Sequence, residues 1–217
     1  MNTPTQRAVV LLILGMVLSA SGCARATQER FYTLSDSMPD GTEDAPIRND
    51  FVEILPVSLP ELLDRPQVVL YDEAGRVRIL EEDRWAAALK SEIRRSIGEK
   101  VRHQLGMIDI YHTPVPHAGS AKGKTYRITL SVESFKVAPG HGTIMQAVWV
   151  VRSIDGSADF VCRSAYQTES DDRSLSHAIL AYRKAIDALG ISIAHSIQKT
   201  AQGPRDGRAE QGECVPR

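Results

Sequence analysis

The chain has 217 residues, 42% of them hydrophobic and 24% charged, which disfavours intrinsic disorder, collagen and a polytopic membrane protein. Lysine and arginine number 26 against 27 acids, so the net charge of −1 offers no field for a nucleic acid. Aromatics at 6% argue against a sugar- or base-stacking surface, and three cysteines are too few for a disulfide scaffold and lack zinc spacing.

Residues 1–7 are polar with one cation, Arg7, and Ala8 to Leu18 is an unbroken apolar run. Eleven residues at ~1.5 Å rise reach about half of a ~30 Å hydrocarbon core, too short to span but suited to a signal peptide. Ser19-Ala20-Ser21-Gly22-Cys23 follows, and small residues directly before a cysteine resemble a bacterial lipobox. Ala20 departs from the usual leucine, so the alternative is an ordinary secreted protein cut near Ala20 or Gly22. The expectation is a lipoprotein signal peptide over 1–22 and lipidation at Cys23. Removing 1–22 takes one arginine and no acid, which moves the net charge from −1 to −2. Ala24, rather than aspartate, at the second mature position favours the periplasmic face of the outer membrane, again by resemblance.

Cys162 and Cys214 remain. An exported compartment is oxidising, so an even remainder invites a disulfide; the alternative is two free thiols. The bond would close a loop of about fifty residues, contribute roughly 2–4 kcal/mol and pin a polar tail, 201–217, to a strand.

In chain order, Phe31-Tyr32-Thr33-Leu34 reads as a short strand and 35–49 as a loop. Phe51 to Val57 is a strand ended by Pro56, and 58–66 is a connector. Gln67 to Asp72 and Arg76 to Leu80 form a hairpin around Glu73-Ala74-Gly75. A helix is expected from Asp83, as N-cap, to Leu105, with Trp85, Leu89, Ile93, Ile97, Val101 and Leu105 as its stripe. Arg84, Lys90, Arg94, Arg95 and Lys100 then form a solvated face, and Glu81-Glu82-Asp83 suits the positive end of the helix dipole. Met107 to Tyr111 is a strand and 112–124 an exposed loop. Three strands follow. Tyr126, Ile128, Leu130 and Val132 alternate with polar residues, and the phase shift to Phe135 and Val137 signals a bulge. Thr143 to Ile154 is apolar on both faces, hence central, and Asp155-Gly156 turns it into an antiparallel return over 158–167. Leu175 to Ile197 carries a sustained i, i+3, i+4 rhythm behind a Ser174 cap. The order gives one α+β domain, 23–200, with a mostly antiparallel, mixed sheet packed on two amphipathic helices.

The chain has no phosphate loop, zinc-protease motif, Cys-x-x-Cys or nucleophile elbow. Gly140-His141-Gly142 reads as a turn. His103, His112 and His117 are scattered with no ligand spacing, so neither metal nor cofactor is expected.

Several segments together resemble the ABC-type transport auxiliary lipoprotein family, the PqiC-like proteins. They are Phe31-Tyr32-Thr33-Leu34, Val57-Ser58-Leu59-Pro60, Leu63-Asp64-Arg65-Pro66-Gln67-Val68-Val69, Arg84-Trp85-Ala86, the Ala147–Val151 strand and the closing helix. The resemblance spans nearly all of 23–200. It implies a non-catalytic, periplasm-facing lipoprotein beside an MCE-domain protein and inner-membrane transporter components, moving lipid between membranes and supporting envelope integrity. It also implies docking on a tube of MCE domains, with a homo-oligomeric ring. Leu63, Asp64, Arg65 and Pro66, with the 112–124 loop, are the candidate partner contacts, being loops on a packed scaffold. The competing reading is a structural lipoprotein that stabilises an outer-membrane assembly.

Overall fold

The computed structural model describes residues 28–35, 45–111, 123–156, 159–202 and 214–216. Nine strands, two α-helices and one 3₁₀ turn follow one another among them. They are β1 (Arg30–Tyr32), β2 (Phe51–Ile54), a 3₁₀ turn (Glu61–Leu63), β3 (Gln67–Tyr71) and β4 (Val77–Trp85). Then come α1 (Leu89–Leu105), β5 (Ile108–Asp109), β6 (Thr125–Ala138), β7 (Gly142–Ser153), β8 (Asp159–Thr168), α2 (Leu175–Gln202) and β9 (Cys214–Pro216).

The strands form two sheets rather than one, in the orders β1-β4-β3 and β5-β2-β6-β7-β8-β9. The fold is α+β, with a mixed larger sheet: β2 runs parallel to β5 and β6, and β6 through β9 are antiparallel neighbours. Alternation along β6 buries Tyr126, Ile128, Leu130 and Val132. The register then slips between Val132 and Ser134, which returns Phe135 and Val137 to the same core. One extra residue in a strand with a two-residue period has this effect. β7 is central in strand order but not buried on both faces. Met145, Ala147, Trp149 and Val151 face the core, while Ile144 is exposed and Val148 and Val150 are half-buried.

α2 lies across the buried face. Its Ser174 cap accepts the His177 amide at 3.2 Å, and Ser196 Oγ accepts the Trp149 indole N–H at 3.0 Å. α1 crosses α2 at Gly190, where an added Cβ would stand 3.0 Å from the Lys100 side chain. The missing side chain is what lets the two helices approach, and Lys100 then pairs with Asp187 at 3.2 Å.

Tyr182 joins the layers. It is fully buried, meets Trp85 of β4 edge-on at 5.2 Å, and leans on Phe135 of β6 at 4.6 Å. Its hydroxyl donates to the Val69 carbonyl of β3 at 2.5 Å. One side chain therefore touches both sheets from α2.

The expected helix start is wrong. β4 continues through Glu81, Glu82 and Asp83 to Trp85, and α1 begins at Leu89 behind Ala88, which has no side-chain cap. Trp85 keeps the four-residue spacing of the stripe by coincidence; it is buried by a strand-to-helix contact. Asp83 is not an N-cap. β1 docks parallel on β4 and delivers Arg30 to it, Nε to Oδ1 at 2.6 Å and Nη2 to Oδ2 at 2.8 Å, with Tyr32 Oη at 3.0 Å. Such a two-pronged guanidinium grip explains a carboxylate buried to 4% exposure.

Glu92, on the first turn of α1, is buried to 2% and completes the attachment of β1. It accepts Thr33 Oγ1 at 2.6 Å, the Leu34 amide at 2.8 Å and Arg95 Nη2 at 2.7 Å. The solvated basic face is also incomplete. Arg94 is buried, its guanidinium 3.9 Å from the Tyr111 ring centre and 3.7 Å from Asp109. The strand expected over 107–111 contracts to Ile108–Asp109.

Two predictions follow from these contacts. Tyr182→Phe leaves the Val69 carbonyl without its donor and costs about 1–3 kcal/mol, read as a Tm lower by several degrees. Burial also raises the Tyr182 hydroxyl above its ordinary value of 10.0. The folded state then holds that proton more tightly than the unfolded state. The stabilisation is complete below pH 10 and is lost as pH rises above it, and Tyr182→Phe shows a shallower alkaline decline in denaturant titrations. Glu92→Ala strands the buried Leu34 amide and should lower stability by about 1–3 kcal/mol. Hydrogen exchange at 30–34 should then rise well before the β6–β8 amides exchange.

Candidate functional site

The residues singled out by sequence fall in different places. Cys23 and positions 112–122 of the candidate loop, His112 and His117 included, lie outside the described residues. Leu63 ends the 3₁₀ turn and is buried in the core, so it has no surface to offer a partner. Asp64 and Pro66 are exposed beside it and Arg65 is half-buried. The turn is held by the Leu63 amide on Pro60 and the Asp64 amide on Glu61, and Asp64 pairs with Lys90 at 3.2 Å. The Pro66 carbonyl accepts the Trp85 amide at 2.7 Å, which fixes the segment to the end of β4. Arg65 Nε is buried with no hydrogen-bond partner among the described residues. The segment is thus a corner pinned by backbone hydrogen bonds and one ion pair.

Cys162 sits on β8, and Cys214 lies opposite it in the β8–β9 register. Their sulfurs are joined at 2.02 Å across a separation of 52 residues. The last strand of the sheet is therefore a piece of the C-terminal tail, held at the edge by a covalent tie.

Gly140-His141-Gly142 forms the β6–β7 turn. Both glycines have positive φ, 80° and 112°, and a Cβ on Gly142 would collide with the Thr168 carbonyl. His141 Nε2 lies 2.9 Å from Glu73 Oε1, which also takes Arg173 Nη2 at 3.2 Å. These contacts bind the tip of the β3–β4 hairpin to the β6–β7 turn and to the entry of α2.

A cleft of about 630 Å³ opens between residues 45–47 and α1. Pro46, Ile47, Met107 and Ile108 give it apolar walls, with Arg95 and Arg102 among the charged residues of its lining. Among the described residues, no group of three or more His, Cys, Asp or Glu side chains is placed to hold a metal ion. No described helix is long and apolar enough to cross a membrane. The buried titratable groups serve packing. Glu92 and Asp83 hold β1, Arg94 stacks on Tyr111, and the hydroxyl of Tyr32 is pushed up by burial and then by its bond to Asp83.

Sequence reasoning missed Glu92 and Arg94. The signal was present for Glu92, which lies three residues after Leu89 and beside Ile93, on the inward stripe. A carboxylate there must find partners, and both Thr33 and Arg95 were available.

No curated protein matches the chain. Two crystal structures share its fold. One, described as an uncharacterized protein, superposes with a TM-score of 0.59 at 15% identity, over 78% of this chain and 99% of that one. The other is protein XCC0632 from Xanthomonas campestris, of family DUF330, with a TM-score of 0.56 at 11% identity, over 80% of this chain and 97% of that one. The family model described as ABC-type transport auxiliary lipoprotein component matches residues 32–194, from the end of β1 through most of α2. The chain belongs to the ABC-type transport auxiliary lipoprotein component family.

Proposed function

We propose that this protein is the membrane-anchored adaptor of an ABC/MCE-type system that moves lipid between the inner and outer membranes. It performs no covalent chemistry. Cys23 is the lipidated residue and the domain stands on the periplasmic face of the outer membrane. An MCE-domain protein and the inner-membrane transporter components are its partners. The protein's part is positional: it holds one end of an apolar conduit against the membrane that receives or donates the lipid, and so supports envelope integrity. A ring of copies around that conduit would give the symmetry such a tube requires.

The observation that carries the reading is the family match over the folded domain, 32–194, in a chain whose β1 begins seven residues after Cys23. Seven residues extend at most ~25 Å, so the body is held close to whatever surface receives the cysteine. A diacylated cysteine supplies two chains, and two are enough for lasting attachment where one is marginal. The corner Asp64-Arg65-Pro66, with Asp64 and Pro66 exposed, is the proposed partner contact, and the Cys162–Cys214 bond suits an oxidising compartment.

Cys23→Ala should leave the fold and its melting temperature unchanged and move the protein from the membrane pellet to the soluble fraction. Retention in the pellet after a high-salt wash counts against the lipid anchor. Mild detergent extraction of the native protein should co-purify MCE-domain and permease subunits. An extract without them, or one containing barrel-assembly components instead, would replace this reading by that of a structural lipoprotein. Arg65→Glu should weaken recovery of the MCE partner several-fold at unchanged Tm.

A further inference from the structure

Phe31 is the most exposed aromatic side chain among the described residues, at 61%. It stands on β1, at the edge of the three-stranded sheet, paired in register with Arg84. Alternation sends its neighbours Arg30 and Tyr32 to the other face, where both bind Asp83. Three guanidiniums surround this strand: Arg84 held by Glu29 at 2.9 Å, Arg95 by Glu92 at 2.7 Å and Arg30 by Asp83 at 2.6 Å. Between 34% and 58% of each of these arginine side chains remains exposed. Arg183 donates to the Thr33 carbonyl at 3.1 Å.

A single exposed apolar residue is ordinary on a protein surface. The position of this one is not. Eight residues separate it from Cys23, so it lies at most ~28 Å from that residue. Its strand is fixed to the body by two buried carboxylates, so the ring cannot fold away into the core without breaking them. A phenyl ring left largely in water forgoes the gain of burial, which a nearby hydrocarbon boundary can return.

Resting on the lipid anchor proposed above, we propose that Phe31 enters the headgroup boundary of the bilayer that holds Cys23. The β1 edge is then the membrane-facing side of the domain. An acylated cysteine on a short tether holds the domain at the surface but leaves it free to swivel. A second contact, on a rigid strand, sets which side faces the lipid. Arg30, Arg84 and Arg95 each already have a carboxylate, so the contact is chiefly apolar and depends little on anionic lipid or on salt.

Trp85 and Trp149 are both buried and emit a constant blue, quencher-shielded signal, so Phe31→Trp adds one exposed reporter that is read after subtracting the parent protein. The full lipidated variant is reconstituted in phosphatidylethanolamine vesicles, with and without phosphatidylglycerol. Its added emission should shift to the blue and lose most of its acrylamide quenching, with little change on adding phosphatidylglycerol. The Cys23→Ser form of the same variant, free of lipid, should stay red and quenchable at all protein concentrations. Emission that remains red and quenchable in vesicles overturns the proposal. So does a blue shift that grows with concentration in the lipid-free form, since a second copy then covers the ring. Mass analysis of the amino-terminal peptide separates the two layers of the argument. Acylated Cys23 with water-exposed emission refutes this surface and leaves the anchor standing, and an unmodified Cys23 overturns both.

Discussion

The fold depends on one constraint: two sheets that share no strand must be packed together, and one long helix, α2, reaches both. Tyr182 meets that constraint because it is large, apolar along its ring and polar at its tip. The ring fills the space between Trp85 and Phe135, and the hydroxyl satisfies a β3 carbonyl that faces the helix. A phenylalanine would fill the same space and leave the carbonyl bare; a smaller polar residue would satisfy the carbonyl and leave a void. Gly190 and Ser196 continue the same logic along α2, one by admitting α1 and the other by taking the Trp149 indole.

The buried charges of this domain are spent on attachment. In an enzyme of this size, a carboxylate with little exposure and several donors would invite a mechanism. Here Asp83 closes on Arg30 and Tyr32 of β1, and Glu92 on Thr33 and Leu34 just after it, at distances of ordinary strong hydrogen bonds.

Much of this architecture was legible in the sequence. The alternation in β6, its phase slip after Val132, the hairpin turns and the rhythm of α2 are local patterns, and local patterns survive folding. The start of α1 was not legible for the opposite reason. Asp83 followed by a four-residue apolar spacing is a sound helix signal, and it was overridden by a strand, β1, that arrives from fifty residues earlier to claim Asp83. The same distance in sequence hid the partition into two sheets. Of the candidate segment, the connector between strands was readable, whereas the burial of Leu63 and the half-burial of Arg65 were decided by the core beneath the 3₁₀ turn. Arg94 looked like one more solvated cation because its acceptor ring, Tyr111, follows seventeen residues later.

The way β1 is fastened has a mechanical consequence. Any pull transmitted along the residues before Arg30 reaches the body through a strand of three residues. Backbone pairing over so short a length would peel readily. The load is carried instead by side-chain brackets into two separate elements, Asp83 in a strand and Glu92 in a helix, so strain is shared before either yields. Prising β1 from the body therefore means breaking contacts into both elements, and not the three-residue strand pairing alone.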